Sequence, residues 1–118
     1  MVISMNNYFK NAEEFFNRGK KEYEEALKKR DTIKIREGCE KIFHAFVELS
    51  DGILTEQGYP IPEDHATRKE LLLKFRMHKT YGWVKDTLHS ECYYSGIIKK
   101  SLLDNAIESV DTEIKKRI

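Results

Sequence analysis

The chain has 118 residues, of which 40% are apolar and 35% charged, with a formal net charge of only +1. This length fits one domain, which we place at residues 1–118, and the composition predicts a folded core with a charged surface. The charge balance disfavours a strongly basic nucleic-acid-binding protein, and two prolines and six glycines are too few for a turn-rich β-sandwich. No apolar run exceeds three residues, as in Leu71 to Leu73, so we expect no membrane association.

The beginning of the chain and the cysteines favour a cytoplasmic protein. Residues Met1 to Asn7 contain neither the basic nor the apolar segment of a secretory signal. Cys39 and Cys92 lie far apart at apolar positions of helical patterns, and neither has a Cys-x-x-Cys partner. Because small secreted folds carry more cysteines at closer spacing, we expect two buried, reduced thiols with a structural role.

The first half of the chain predicts two long helices. Apolar residues from Tyr8 to Leu27 recur at helical spacing and occupy one arc. Asp31 then predicts a break and a cap for a second helix, which runs from about Thr32 to about Leu54. Since almost no residues connect the two helices, we expect them to pack antiparallel as an αα-hairpin.

The second half predicts shorter helices. Gly58, Pro60 and Pro62 mark a loop over residues 56–63, and the capping-box spacing Thr67-x-x-Glu70 predicts a third helix that starts near residues 64–67. Thr80 is the predicted cap of a fourth helix, and a kink or break near Gly96 precedes a last amphipathic stretch from Leu103 to Ile118. No segment has a strand pattern. The predicted architecture is an all-α, up-and-down helical bundle with four main helices or five.

The predicted second helix is apolar on more than one side. Its main stripe runs from Ile35 to Ile53, and a second set widens the apolar arc past half of the circumference: Ile33, Phe43, Val47 and Leu54. On a monomer these side chains would form an exposed patch of a kind that soluble proteins seldom leave uncovered, which predicts a homodimer. The alternative is that the third and fourth helices cover this face within one chain.

Motifs for metals and cofactors are missing from the sequence. A di-iron bundle uses paired Glu-x-x-His motifs, whereas the nearest matches here, Glu40-x-x-x-His44 and Asp86-x-x-His89, have other spacings or residue types. There is no Gly-rich phosphate loop, nucleophile elbow or zinc motif, so we expect no metal and no cofactor. The basic run from Lys74 to Lys79, with Arg76 inside it, is either a solvated helix end or an RNA-contact patch.

Two groups of polar residues are candidate sites. His89 and Tyr93 are four residues apart on the predicted fourth helix, and Asp86 precedes His89 by three. Asp86 would orient His89 for acid–base catalysis or ligand binding, or the three form an ordinary polar contact between helices. Glu40 and His44 form either a surface pair or part of a binding pocket.

Two stretches of the sequence resemble the archaeal PaREP-type family. The first runs from Glu25 to Asp31 and on through Arg36 to Ala45, and is similar to that family's helical hairpin with a Gly-Asp turn. The second, Leu88 to Tyr94, is similar to its Leu-His-x-Asn-Phe-Tyr-Glu element. PaREP-type proteins belong with the HEPN-like bundles. The resemblance therefore implies an archaeal, cytoplasmic, dimeric protein connected with RNA or nucleotides, with a nucleotidyltransferase-type protein as a possible partner.

The resemblance does not extend to the ribonuclease signature of HEPN proteins. That signature is an Arg followed by a His after four to six residues, and none of the six arginines meets it; Arg36 and His44 come closest. We therefore expect a non-catalytic interaction module and no metal-independent cleavage of RNA by this route. The alternative is a ribonuclease with a non-standard site built from His89, Tyr93 and Asp86.

Overall fold

The computed structural model describes residues 6–118, and within them every regular element is helical. In chain order the five helices are α1 (Asn7–Lys29), α2 (Thr32–Glu56), α3 (His65–Leu72), α4 (His78–Val84) and α5 (Lys100–Arg117). A 3₁₀ turn (Leu73–Phe75) precedes α4, and a π-helical segment (Lys85–Tyr94, the π segment) continues it. The all-α prediction is confirmed. Residues 1–5, which belong to the predicted domain and to the segment in which we expect no secretory signal, lie outside the described residues.

Helices α1 and α2 form the predicted antiparallel hairpin. Arg30 ends α1 in a left-handed conformation with φ of 54°, and Asp31 caps α2 by accepting a hydrogen bond from the Lys34 amide at 3.1 Å. Glycine takes this left-handed conformation without strain, whereas Arg30 takes it with a Cβ atom present. Two residues are therefore enough to reverse the chain.

Two glycines allow the hairpin helices to approach backbone to backbone. A Cβ atom on Gly38 would lie 2.9 Å from the Tyr23 amide nitrogen, and one on Gly19 would lie 2.9 Å from the Ile42 side chain. Each such Cβ would also lie 3.1 Å from the carbonyl oxygen of the other glycine. This close contact fixes the register between α1 and α2, because no larger residue fits at either position.

The start of α3 lies within the predicted range, whereas the start of α4 differs from the predicted one. Asp64 caps α3, since its Oδ1 accepts a hydrogen bond from the Thr67 amide at 2.7 Å. Helix α4 begins at His78, so Thr80 lies inside it and the predicted Thr80 cap is wrong. Tertiary contacts outweigh this local signal, because Met77 before α4 is fully buried and anchors the chain there.

The π segment is ten residues long and is held by contacts with α2. Such helices are rare and usually last a single turn, so one of this length depends on tertiary support. Arg36 of α2 supplies part of it, since its guanidinium donates to the Tyr93 carbonyl at 2.7 and 2.9 Å and to the Tyr94 carbonyl at 3.1 Å. A cation at a helix C-terminus satisfies carbonyls that have no partner within the helix. Gly96, with φ of 70°, then makes the predicted break before α5.

The second apolar face of α2 is largely covered by the chain itself. Phe43 is 3% exposed and Leu54 is fully buried, whereas Ile33 is 66% exposed. The patch from which we predicted a homodimer therefore does not exist as proposed, because the π segment, α3 and α4 pack over most of it. Within residues 6–118, no helix has the length and apolar character needed to cross a membrane.

Candidate functional site

A concavity of about 720 Å³ opens between α2, α3 and the π segment, and we call it the histidine concavity. Three of the four histidines of the chain line it, together with carboxylates, two basic side chains and aromatic rings. Its polar lining residues are Glu37, Glu40, Lys41, His44, Glu63, His65, Arg68, His89 and Tyr93, and its apolar ones are Phe15, Phe43 and Val47. It is the place in the fold where titratable side chains from three elements meet.

Glu40 and His89 form a carboxylate–histidine pair in this concavity. His89 Nδ1 lies 2.8 and 3.0 Å from the two carboxylate oxygens of Glu40, and the His89 ring stacks on Phe43 with 4.6 Å between centroids. Because a carboxylate only accepts hydrogen bonds, the pair places a proton on Nδ1. In neutral His89, Nε2 then carries the lone pair and is the nitrogen able to act as a base.

His65 faces His89, and its two ring nitrogens have the opposite donor and acceptor roles. The rings lie 5.3 Å apart, and His65 Nδ1 is 2.7 Å from the Tyr81 hydroxyl oxygen. Burial raises the pKa of Tyr81 to about 12, so this hydroxyl keeps its hydrogen. Arg68 can only donate to the Tyr81 oxygen, at 3.4 Å, which leaves the Tyr81 hydrogen to bond His65 Nδ1.

The proton of neutral His65 therefore resides on Nε2. Burial lowers the pKa of His65, and the neighbouring basic groups of His89, Arg68 and Lys85 lower it further, so the ring is neutral at pH 7. The concavity thus holds one imidazole whose Nε2 accepts, His89, beside another whose Nε2–H donates, His65.

A buried ion pair holds α3, and with it His65, against α2. Arg68 Nε and Nη2 lie 2.8 and 3.3 Å from the two carboxylate oxygens of Asp51, and Nη2 also donates to the Pro62 carbonyl at 3.0 Å. Both side chains are more than 90% buried. The paired hydrogen bonds satisfy the charges where water cannot, and they fix the position of α3 relative to Glu40 and Phe43.

The structure brings together four of the six sequence-predicted site residues. His89, Tyr93, Glu40 and His44 all line the histidine concavity. Of the two alternatives for Glu40 and His44, the surface pair is wrong, because Glu40 accepts from His89 whereas His44 Nε2 lies 3.4 Å from a Glu48 carboxylate oxygen; both residues are part of the concavity instead.

Asp86 and Arg76 lie outside the concavity. The Asp86 side chain is 68% exposed and its carboxylate is 3.5 Å from Lys85 Nζ, so its predicted role in orienting His89 is wrong. A π-helix has more residues per turn than the 3.6 of an α-helix, so three residues no longer bring two side chains onto one face. Arg76 is exposed after the 3₁₀ turn, in a left-handed conformation with φ of 58°.

Sequence reasoning did not identify His65, Arg68, Asp51 and Tyr81. One signal was present: Asp51 lies four residues after Val47 and three before Leu54, on the second apolar face of α2, and a charged residue at such a position requires a buried partner. Nothing local identifies Arg68 as that partner, because it lies 17 residues later on another helix. Within residues 6–118, no group of three or more His, Cys, Asp and Glu side chains is arranged to hold a metal ion.

In comparisons with protein-family models, with curated proteins and with solved structures, nothing matches this chain.

Proposed function

We propose that this chain binds a ribonucleotide unit, free or within RNA, in the histidine concavity. The observation that carries the proposal is the meeting of His44, His65 and His89 in one open concavity that also contains Lys41. Imidazole N–H and ammonium groups are donors suited to phosphate oxygens. The remaining features of the concavity match the other two parts of a ribonucleotide.

The carboxylates that line the concavity favour a ligand with ribose hydroxyls over a ligand that would bind through its negative charge alone. Glu37 and Glu63 line the same concavity, and a polyphosphate would be repelled by them. Carboxylates do accept hydrogen bonds from ribose hydroxyls, as in dinucleotide-binding folds. A ligand with few phosphates and a free 2′-hydroxyl therefore fits this lining better than a strongly anionic one.

The exposed Tyr94 beside the concavity, with the partly buried Tyr93 next to it, supplies an aromatic surface for a base. Tyr94 is 66% exposed, and its ring lies 4.9 Å from His89 and 5.1 Å from Tyr93, centroid to centroid. Solvent-exposed aromatic rings next to phosphate-binding groups are the usual stacking platforms for unpaired bases. Their position agrees with a ribonucleotide whose ribose and phosphate enter the concavity.

Calorimetric titration with adenosine monophosphate and with deoxyadenosine monophosphate tests this proposal. We expect the ribonucleotide to bind more tightly, and His65→Gln to weaken its binding about three- to tenfold, because one hydrogen bond is lost. His78→Gln is the matched control, since His78 does not line the concavity. Equal affinity for the two nucleotides, or equal loss in both variants, would contradict the proposal.

A second candidate is cleavage of RNA, and the Glu40–His89 pair favours it. His89 Nε2 would take the proton of a 2′-hydroxyl, the oxygen would attack the adjacent phosphorus, and the 5′ oxygen would leave with a proton from solvent. His65 Nε2–H would donate to a phosphoryl oxygen, and Tyr93 lies beside His89 with its ring nearly parallel. In this version Glu40, rather than Asp86, orients the base.

Incubation of a labelled oligouridylate with the protein in excess chelator tests the second candidate. Products ending in 2′,3′-cyclic phosphate, absent with His89→Gln and with a 2′-deoxy substrate, would support it. Binding without such products would leave the non-catalytic module as the function, which is what the missing Arg–His signature predicts.

Membership of the PaREP-type, HEPN-like group, an archaeal source and a cytoplasmic location stay proposals that rest on the resemblance. A homodimer and a nucleotidyltransferase-type partner also stay predictions. Phe43→Glu is unsuitable for testing the homodimer, because Phe43 packs on His89 inside one chain. Light scattering across a dilution series is the direct measurement.

A further inference from the structure

The two cysteines meet in the core between α2 and the π segment. Cys39 and Cys92 are separated by 53 residues, yet their Sγ atoms lie 3.0 Å apart and both side chains are fully buried. The two thiols are hydrogen-bonded, and their spacing exceeds the length of a disulfide bond by only about 1 Å. Small rotations of the two side chains are sufficient to cover that difference.

We propose that Cys39 and Cys92 form an intramolecular disulfide that joins α2 to the π segment when the chain encounters a small disulfide oxidant such as oxidised glutathione. This inference is independent of the proposed function. The pairing needs no choice among connectivities, since the chain contains only these two cysteines. The sequence predicted two buried, reduced thiols with a structural role. Their buried positions agree with that prediction, whereas a disulfide between them would not.

The reaction is a pair of thiol–disulfide exchanges. One cysteine thiolate attacks the oxidant, forms a mixed disulfide and releases one glutathione thiol. The second cysteine thiolate then attacks the protein sulfur, which forms the Cys39–Cys92 bond and releases the other glutathione thiol. The two cysteines lose two protons and two electrons, and the electrons reduce the disulfide bond of the oxidant.

Burial determines when this exchange takes place. The hydrogen bond with Cys92 and burial both raise the pKa of Cys39, so its thiolate is scarce at neutral pH, whereas the same hydrogen bond lowers the pKa of Cys92. An oxidant also has no direct access to either sulfur. We therefore expect oxidation to be fast during refolding and slow in the folded protein, where it has to wait for the π segment to separate from α2.

The bond would fasten the two segments that carry the Glu40–His89 pair. Cys39 immediately precedes Glu40, and Cys92 follows His89 by three residues. A covalent link at this point opposes separation of the two side chains. It also shortens the unfolded chain by closing a loop of about fifty residues, which stabilises the folded state.

The test is refolding from urea of the reduced, full-length chain, with and without a mixture of oxidised and reduced glutathione. Thiols are then blocked with N-ethylmaleimide, and the denatured protein is weighed by mass spectrometry. We expect a monomer that takes up no reagent, and a tryptic digest without reduction should link residues 37–41 to residues 86–99. We also expect the linked protein to melt roughly 10 °C or more above the reduced one.

Three outcomes would overturn the proposal: a protein that takes up two equivalents of N-ethylmaleimide after oxidative refolding, one that carries only glutathione adducts, or a linked form that melts below the reduced form. Cys39→Ala and Cys92→Ala are the controls. Each is first shown to be helical by circular dichroism, and each should react with one equivalent of reagent and give no linked peptide. If either variant fails to fold, the peptide map of the wild-type chain still decides the matter.

Discussion

The hairpin of α1 and α2 and the half of the chain that follows it are specified in different ways. The hairpin packs apolar stripes and two glycines against each other, so its backbones touch. The segment from α3 to the π segment also buries apolar side chains, among them Met77 and Leu88, but it adds two polar pairs with α2, Asp51–Arg68 and Glu40–His89. Apolar packing is specified by local periodicity, whereas each polar pair requires one particular residue at a distant position.

The largest effect should come from breaking the buried ion pair. Asp51→Ala leaves the Arg68 guanidinium buried without its carboxylate, so we expect the free energy of unfolding to fall by about 3–5 kcal/mol in urea denaturation. Asp111→Ala is the matched control, because its partner Lys115 is 76% exposed and such a pair contributes little. A loss below 1 kcal/mol at Asp51 would show that the second half does not depend on this pair.

The second-largest loss of stability should come from a cavity in the core of the hairpin. Leu49 is fully buried, and Leu49→Ala should lower the free energy of unfolding by about 2–5 kcal/mol because it creates a cavity. Ile33→Ala on the same helix should change it by less than about 0.5 kcal/mol, since that side chain is 66% exposed. Similar losses at both positions would mean that another molecule covers Ile33.

The glycine contact gives a smaller, purely steric effect. Gly38→Ala places a Cβ atom 2.9 Å from the Tyr23 amide nitrogen, and the backbone cannot move away cheaply. We expect a loss of about 1–3 kcal/mol in thermal or urea unfolding. In Gly82→Ala the new Cβ meets only the flexible end of Lys69, so this control should be neutral or slightly stabilising. Equal tolerance of both changes would disprove the close approach of α1 and α2.

The smallest effect should be a pH dependence of stability that originates at His65. Burial lowers its pKa in the folded protein, so below the ordinary value of about 6.5 the unfolded chain binds a proton that the folded chain does not. The free energy of unfolding should therefore decrease as the pH falls from 7 to 5. In His65→Gln this decrease should be smaller, because the contribution of His65 is gone. An unchanged slope in the variant, measured by urea denaturation at each pH, would contradict the assignment.

These differences explain how much of the fold could be predicted from the sequence. The hairpin, the Asp31 cap and the break at Gly96 follow from residues within a few positions of each other, and the predicted end of α2 at Leu54 lies close to the observed end at Glu56. The π segment could not be predicted in this way. Its sequence has no distinctive pattern, and its support comes from Arg36, 57 residues before Tyr93.

The candidate site was predicted only in part, for the same reason. His89 and Tyr93 were recognised because four residues bring side chains together in either kind of helix. Asp86 was misplaced because its assignment assumed α-helical geometry, and the partner that replaces it, Glu40, lies 49 residues away. His65 gave no periodic signal at all, since its orientation depends on the hydroxyl of a buried tyrosine from α4.

The Arg36 contact also constrains the order in which the chain folds. The carbonyls of Tyr93 and Tyr94 obtain their donors from α2, so the π segment cannot be completed until the hairpin has formed to receive it. Contacts close in sequence form at lower entropic cost than distant ones, which places the hairpin before the Glu40–His89 pair. Amides of the π segment should accordingly exchange with solvent by local opening while the hairpin stays intact, so that the site assembles after the hairpin and opens before it.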